Sequence, residues 1–172
     1  MAKTEPVTLE FAESAPYQVN CTVEVATSAA NLFEVLKDNR GGEKWLGWIV
    51  TKVVPTSDPE HGVGATRKVV WLYGLGGLTE TFIGWEEPTL WSFTANTVRP
   101  GVFSKFMERV TVEPVSATSC RVHYRAGIDF SSWARPFSGF ITGYLGKAIR
   151  PALEDMGAIA VANTAAAGHI TS

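Results

Sequence analysis

Five consecutive segments of alternating apolar and polar residues occupy the middle of the chain, and they constrain its fold more than any other feature. Gly, Pro, Asn or Ser separates each segment from the next, and the segments cover residues 65–73, 78–87, 89–98, 104–115 and 120–130. Such alternation is typical of strands with one face on a core and the other in solvent, and closely spaced strands of this kind pair antiparallel. The pattern therefore predicts an antiparallel meander.

A strand and two helices precede a further strand before the meander. Tyr17–Val25 alternates in the same way, and "TSAANLFEVLKD" then changes to a helical period with Thr27 or Ser28 as its cap. The segment "NRGGEKWLGW" predicts a break and a short second helix, and "WIVTKVVP" predicts a strand that ends at Pro55. The sequence thus predicts seven strands, with two short helices after the first.

The last third of the chain predicts one long amphipathic helix. Apolar residues recur every three or four positions from Phe137 to Ile159, and Pro136 suits a first helical turn. Pro151 lies inside this pattern, so we expect a kink there or a break into two helices. A curved antiparallel sheet has one apolar face, and the apolar face of the helix must lie across it. We therefore predict an α+β fold in which a curved seven-stranded antiparallel sheet wraps around a long C-terminal helix.

Length and charge limit the classes of function. The 172 residues suit one domain, which we place at residues 17–165. We expect an N-terminal arm at residues 1–16, either ragged or forming a short edge strand, and a frayed tail at residues 166–172. A net charge of −2 gives no electrostatic basis for nucleic-acid binding. No apolar run approaches the ~20 residues of a transmembrane helix, and no signal peptide is visible. We expect a cytoplasmic protein with Cys21 and Cys120 as reduced thiols; its oligomeric state is left open.

The glycine-rich stretch "GLGG" at residues 74–77 could be taken for a phosphate-binding loop. It lies between two alternating segments, however, and not between a strand and a helix, as phosphate binding requires. The dinucleotide pattern G-x-G-x-x-G also fails, because position 79 is Thr. We predict a hairpin turn in which glycine allows positive φ, or alternatively lets a ligand or a backbone approach closely. No nucleotide cofactor is expected.

Several stretches together resemble one superfamily. They are "VEVATSAANLFEVLKD", "KWLGWIVTKVVP", "GVGATRKV", "TETFIGWEEPTLWSFT" and the glycine-spotted helix "SGFITGYLGKAIRPALEDM". Over residues 17–165 the chain resembles the SRPBCC superfamily of START-like helix-grip domains and polyketide cyclase/dehydrase-like proteins. The resemblance implies a helix-grip fold whose cavity lies between the sheet and the last helix. Members include lipid carriers, hormone receptors, aromatase/cyclases and ring-hydroxylating oxygenase domains. The oxygenases need iron ligands, and no His–carboxylate pair here has metal-ligand spacing, so we expect no metal.

Three charged residues fall on strand faces that are otherwise apolar: Arg67, Glu80 and Glu108. A buried charge must be paired or must change its ionisation. In one interpretation Arg67 and Glu80 form an ion pair across the hairpin, since they lie at similar distances from the glycine turn. In the other, Arg67 polarises a carbonyl or enolate of a ligand while a carboxylate moves a proton. Both interpretations stay open at this point.

Aromatic and aliphatic residues of the sheet and the last helix are candidates for a ligand cavity of roughly 300–1,000 Å³. We predict binding of a polyketide-, lipid- or isoprenoid-like small molecule, without a cofactor. The alternative is a polyketide aromatase/cyclase that performs aldol cyclisation and dehydration without metal or nucleotide, with Arg67 and Glu80 or Glu108 as its polar groups. A third possibility is a partner-binding domain with a collapsed cavity. The predicted lining residues are Trp45, Val69, Trp71, Tyr73, Phe82, Trp91, Phe93, Phe106, Tyr124, Phe140, Ile141 and Tyr144.

Overall fold

A curved antiparallel sheet and one long helix make up most of the computed structural model, which describes residues 1–47 and 49–170, and side chains as far as residue 166. The helices are α1 (Phe11–Ser14), α2 (Ala29–Lys37), α3 (Gly42–Trp45) and α4 (Ser138–Ile170), with 3-10 turns at Leu72–Gly74 and Arg135–Phe137. The strands are β1 (Ala2–Lys3), β2 (Tyr17–Val25), β3 (Val50–Pro55), β4 (Thr66–Trp71), β5 (Gly76–Glu86), β6 (Leu90–Arg99), β7 (Phe103–Ser116) and β8 (Ser119–Phe130).

The sheet has the predicted antiparallel order. Its main path runs β2-β8-β7-β6-β5-β4-β3, so the five meander strands are neighbours and β2 closes the far edge beside β8. The short strand β1 pairs with β6 and adds an eighth member outside this path. The N-terminal arm thus contains a short strand and the single-turn helix α1. The predicted α+β helix-grip fold is confirmed.

Helix α4 packs on the sheet mainly through its middle turns. Its buried side chains there include Ile149, Leu153 and Met156, and the helix continues through Pro151 without the alternative break into two helices. It runs on to Ile170, so residues 166–170 of the expected tail are helical and residues 171–172 lie outside the described residues. Of the helices that the structure describes, none is both long and apolar enough to cross a membrane.

The glycine-rich stretch forms a hairpin between β4 and β5, as predicted. Its turn begins earlier than the glycines, because Leu72 and Tyr73 themselves adopt positive φ angles of 48° and 54°, followed by Gly74 at 95°. Gly76 serves a different purpose, since a Cβ atom there would lie 1.5 Å from Nε1 of Trp71. The hairpin therefore uses one glycine for its backbone conformation and another to accommodate an indole ring.

The two cysteines lie at different levels of the sheet, as the antiparallel pairing of β2 and β8 requires. Cys21 is opposite Tyr124, and Cys120 is opposite Val25. Both are free thiols, which confirms the prediction.

Gly157 lies where α4 packs against Val25 of β2, so its substitution tests the packing of the helix. A Cβ atom at Gly157 would lie 3.0 Å from both methyl groups of Val25. Because overpacking of a core strains its neighbours, Gly157→Leu is expected to lower the free energy of unfolding by about 1–3 kcal/mol. The control is Gly146→Leu on the same helix, where an added Cβ meets no atom within 4 Å and the better helix propensity of Leu should maintain or raise stability. Urea unfolding of the two variants compares them, and equal effects would contradict this account of the packing.

Candidate functional site

A cavity lies between the inner face of the sheet and helices α3 and α4. Its volume is about 140 Å³, which is smaller than the expected range and close to the ~150 Å³ of a protein cavity that holds one benzene ring. Aliphatic and aromatic side chains form most of its wall. The wall consists of Leu36, Asp38, Gly42, Trp45, Leu46, Ile49, Val50, Val53, Arg67, Val69, Trp71, Leu78, Glu80, Trp91, Phe93, Glu108, Tyr124, Leu145, Ala148 and Ile149.

The opening of the cavity is marked by the apolar wall residues that are only partly buried. They are Leu46 and Ile49 near the start of β3, Trp71 at the end of β4, and Leu145 and Ala148 on α4. Ile49 and the residue after Trp71 are joined by a backbone hydrogen bond, in which the Leu72 amide donates to the Ile49 carbonyl over 3.1 Å. The opening therefore lies between the β3–β4 edge of the sheet and the first half of α4.

An ion pair between Arg67 and Glu80 forms the polar part of the inner wall. The two residues are directly opposite in the β4–β5 register, and Nε of Arg67 donates to Oε2 of Glu80 over 2.6 Å. Their side chains are 9% and 3% exposed. A further hydrogen bond runs from Nη1 of Arg67 to Oδ1 of Asn39 over 3.4 Å. The predicted pairing across the hairpin is confirmed, and the pair also borders the cavity.

Aromatic rings surround the guanidinium of Arg67. Its Cζ atom lies 5.1 Å from the ring centroid of Phe82, 4.9 Å from that of Trp91 and 5.5 Å from that of Phe93. Ring faces carry negative electrostatic potential, so they attract the cation and restrict its orientation. Arg67 is consequently held by a carboxylate, an amide oxygen and three rings, and it offers a fixed positive charge at the wall.

Glu108 is another carboxyl on the wall, and its pKa lies above the usual value for a glutamate. Its pKa is raised to about 7: burial has the largest effect and the negative charge of Glu80 adds to it, while the hydrogen bond from the Tyr124 hydroxyl and the charge of Arg67 oppose the rise. Part of its surface remains exposed because the side chain faces the cavity. Close to neutral pH this carboxyl can therefore both accept and donate a proton.

Two further ionisable groups lie beside Glu108. Burial raises the pKa of Glu80, and the charge of Arg67 and its hydrogen bond oppose that rise. Burial, and then the neighbouring Glu108, raise the pKa of Tyr124 well above its usual value of 10, so its hydroxyl stays protonated and donates to Glu108. The buried part of the wall thus combines the guanidinium of Arg67, the carboxyls of Glu80 and Glu108, and the hydroxyl of Tyr124, while the exposed carboxyl of Asp38 also borders the cavity.

Most of the site residues predicted from the sequence lie together at this cavity. Its wall includes Arg67, Glu80 and Glu108, together with Trp45, Val69, Trp71, Trp91, Phe93 and Tyr124. Phe82 and Phe106 are buried in the adjacent core, Phe82 beside Arg67 and Phe106 beside Phe93. Ile141 is partly buried against the core. Among the residues that the structure describes, no group of three His, Cys, Asp or Glu side chains is arranged to hold a metal ion.

Three aromatic residues that were expected on the wall lie outside the cavity. Tyr73 is 96% exposed because β4 ends at Trp71 and the left-handed backbone at Leu72 and Tyr73 interrupts the alternation. Phe140 and Tyr144 are 79% and 50% exposed. Both residues belong to the first two turns of α4, whereas residues further along the same row of the helix line the cavity (Ala148) or are buried (Ala152 and Met156).

Asn39 was not predicted as a site residue from the sequence. In the structure, its side chain connects the Arg67–Glu80 ion pair to a distant loop. The side chain is buried, and while Oδ1 accepts from Arg67, Nδ2 donates to the Glu60 carbonyl over 2.9 Å. No local pattern marks this residue, because both partners are distant in the sequence. The wall residues Leu145, Ala148 and Ile149 belong to the helical apolar pattern, which could have identified them.

Comparisons with known proteins agree with this architecture. Residues 17–160 match the model of the family described as "Polyketide cyclase / dehydrase and lipid transport". An uncharacterized protein of Mycobacterium tuberculosis (strain H37Rv) is 33% identical over 156 residues, which cover 91% of this chain and 92% of that protein.

Two solved structures share the fold at low sequence identity. The Zhui aromatase/cyclase from a Streptomyces species superposes with a TM-score of 0.75 at 14% identity, covering 88% of this chain and 98% of the other. A START superfamily protein from Mycobacterium smegmatis superposes with a TM-score of 0.59 at 15% identity, covering 81% and 98%.

Removing one partner of the Arg67–Glu80 pair should destabilise the protein far more than removing both. Arg67→Met leaves Glu80 as an unpaired buried carboxyl, so the free energy of unfolding at pH 7 is expected to fall by about 3–5 kcal/mol. Arg67→Met combined with Glu80→Met replaces the pair by apolar side chains and should recover much of that loss. Denaturant unfolding measures the wild type, both single variants and the double variant. A double variant as unstable as the single ones would show that the pair itself is required by the fold.

The raised pKa of Glu108 predicts a pH-dependent contribution to stability. Between the unfolded pKa of about 4.5 and the folded pKa of about 7, the folded protein binds more protons than the unfolded one, so stability falls as pH rises through this window. Relative to Glu108→Gln, which does not titrate, the wild type should lose about 3 kcal/mol between pH 4 and pH 8. Urea unfolding of both proteins across this range measures the difference. Parallel stability curves would contradict the assigned ionisation of Glu108.

Proposed function

The chain belongs to the polyketide cyclase/dehydrase and lipid transport family, and from that premise we propose that it binds a hydrophobic small molecule in the cavity between the sheet and α4. One observation carries the proposal: the mostly apolar cavity ends at a cluster of buried ionisable groups, Arg67, Glu80, Glu108 and Tyr124. A small number of polar groups in an apolar cavity is typical of sites that orient a greasy ligand by its polar end.

The size of the cavity indicates how such a ligand sits. A volume of about 140 Å³ holds one ring or a short stretch of chain. The remainder of a polyketide-, lipid- or isoprenoid-like molecule would extend through the opening, where Ile49, Trp71 and Leu145 provide apolar contacts. The ring faces of Trp91 and Phe93 on the wall suit an unsaturated or ring-containing inner end.

The polar end of the ligand would carry a carbonyl or hydroxyl oxygen. Protonated Glu108 donates a hydrogen bond to a carbonyl, and ionised Glu108 accepts one from a hydroxyl. In the described structure Arg67 uses Nε for Glu80 and Nη1 for Asn39, which leaves the Nη2 amino group for a ligand oxygen. We place this activity in the cytoplasm, where Cys21 and Cys120 remain reduced.

A second candidate function is a cofactor-free aromatase/cyclase, and the pKa of Glu108 near 7 favours it. Ionised Glu108 would remove a proton from the carbon next to a carbonyl, and Arg67 would stabilise the enolate oxygen. The enolate carbon would then attack a second carbonyl of the same chain to form the ring bond. Protonated Glu108 would give its proton to the alkoxide that results, which forms a β-hydroxy ketone and regenerates the carboxylate. In the dehydration, Glu108 would then remove a second proton from the carbon between the carbonyl and the hydroxyl-bearing carbon and pass it to the departing hydroxyl, which leaves as water as the carbon–carbon double bond forms. The Zhui protein is named as an aromatase/cyclase, so the fold is compatible with this chemistry.

Filling the cavity should abolish ligand binding without unfolding the protein. Ala148 lines the cavity near its opening, whereas Ala158 is exposed on the same helix. We expect 2-naphthol, as a ring-containing probe, to quench the tryptophan fluorescence of the wild type and of Ala158→Trp saturably, after correction for absorbance. Ala148→Trp should retain its thermal unfolding transition and show no saturable change. Saturable binding to Ala148→Trp would place the site elsewhere.

Mass spectrometry of molecules that copurify under native conditions distinguishes the two candidates. A bound lipid favours the carrier and a ring-closed product favours the enzyme, while an empty protein that also fails to bind 2-naphthol contradicts both. If the protein is a cyclase, its rate should rise with pH through about 7, following the ionisation of Glu108. Glu108→Gln should remove that dependence and most of the turnover while retaining ligand binding.

A further inference from the structure

The two ends of the sheet carry different connections. Because neighbouring strands are antiparallel, the β4–β5 turn, the β6–β7 turn and the β8–α4 connection all lie at one end, which we call the hairpin end. The β3–β4 loop, the β5–β6 turn and the β7–β8 turn lie at the opposite end. Trp71, which borders the cavity opening, directly precedes the β4–β5 turn, and Leu145, which also borders it, lies about two turns after the start of α4.

Large apolar side chains are exposed in two of the connections at the hairpin end. In the β4–β5 turn Tyr73 is 96% exposed and Leu75 is 73% exposed, and Leu72 precedes them at 49%. Around the start of α4 the exposed residues are Trp133, Phe137 and Phe140. Trp133 also donates a hydrogen bond from Nε1 to the Gly101 carbonyl over 3.1 Å, which ties this connection to the β6–β7 turn. Clustered exposed apolar residues on a folded domain usually mark a surface that contacts something else.

The charges of the two ends have opposite signs. At the hairpin end, segments 1–5, 72–75, 99–102 and 131–149 contain four cations, Lys3, Arg99, Arg135 and Lys147, and one carboxylate, Glu5. At the opposite end, segments 56–65, 86–89 and 113–118 contain Asp58, Glu60, Glu86, Glu87 and Glu113, and no Lys or Arg. Although Arg135 lies 3.7 Å from Asp129, the connections as a group leave the hairpin end positive in a chain whose net charge is −2.

From this combination we propose that the hairpin end docks on the surface of an anionic lipid bilayer. The β4–β5 turn and Phe140 would enter the boundary between headgroups and acyl chains, and Arg99, Arg135 and Lys147 would contact anionic headgroups. A surface that pairs exposed aromatic and aliphatic side chains with cations is typical of interfacial membrane binding. A second copy of this chain fits less well, because a two-fold contact through this end would bring like charges together.

This docking would place the cavity opening at the membrane. A hydrophobic ligand could then pass between the bilayer and the cavity with less exposure to water than it would have in free solution. The docking itself depends only on the surface residues, so it goes beyond the proposed ligand binding and can be tested separately from it.

Vesicle flotation tests the proposal with two matched pairs of variants. The vesicles contain phosphatidylcholine alone, or phosphatidylcholine and phosphatidylglycerol in equal amounts. Leu75→Ser with Phe140→Ser removes exposed apolar groups at the hairpin end, and Val63→Ser with Val115→Ser does the same at the opposite end, where these residues are 68% and 52% exposed. Arg99→Gln with Lys147→Gln removes two cations, and Lys52→Gln with Lys68→Gln removes two exposed cations from β3 and β4.

The wild type is expected to float with the mixed vesicles, more weakly with phosphatidylcholine alone, and less at high salt. The Arg99/Lys147 variant should bind the mixed vesicles about 25-fold more weakly, at about fivefold for each cation, and the Leu75/Phe140 variant should lose binding. Both control variants should bind like the wild type, and all variants should bind 2-naphthol.

Absence of wild-type binding to the mixed vesicles would overturn the proposal, as would equal losses in the control variants. A dimer in size-exclusion chromatography that the Leu75/Phe140 variant dissociates, without any vesicle binding by the wild type, would assign the surface to self-association instead. Failure of 2-naphthol binding with intact vesicle binding would contradict the ligand site and leave the docking surface supported.

Discussion

The ion pair between Arg67 and Glu80 is the interaction on which the inner wall of the cavity depends. Both side chains are almost fully buried, and a buried charge without a partner is far more costly than a buried pair. Neither residue can therefore turn away without leaving the other unpaired. The rings of Phe82, Trp91 and Phe93 hold the guanidinium from the sides. The pair fixes the alignment of β4 with β5 at this level, and it keeps one end of the apolar cavity polar.

The ionisation of Glu108 follows from the same pair. The charge on Glu80 raises the pKa of Glu108, the charge on Arg67 lowers it, and burial has the largest effect. Arg67, Glu80 and Glu108 come from β4, β5 and β7. Strand β6 lies between β5 and β7, and its Phe93 is opposite Glu108. Since strands hold side chains more rigidly than loops, the distances that set this pKa are built into the sheet. A titrating carboxyl in an apolar cavity is thus a consequence of register rather than of a mobile segment.

The sequence predicted the faces of these residues well because alternation along a strand is a local property. Arg67, Glu80 and Glu108 fall on the inner face, and the similar distance of the first two from the glycine turn indicated their pairing. The same reasoning failed for Tyr73, because alternation holds only while the strand continues and β4 ends at Trp71. For Phe140, helical periodicity identifies the apolar side of α4 but does not say at which turn that side begins to contact the sheet. Asn39 and the small cavity volume depend on contacts between distant segments, which no local pattern contains.

The exposed aromatic surface and the cavity opening have one structural cause. Helix α4 begins at the hairpin end, directly after β8, and buries Ile149, Leu153 and Met156 from its later turns. Its first turns contact the sheet through fewer side chains, so Leu145 and Ala148 remain partly exposed at the opening while Phe140 lies outside. If these first turns packed as closely as the later ones, the same contacts would cover the aromatic residues and close the cavity. The incomplete packing of the start of α4 therefore gives the domain both an accessible interior and an apolar surface beside it.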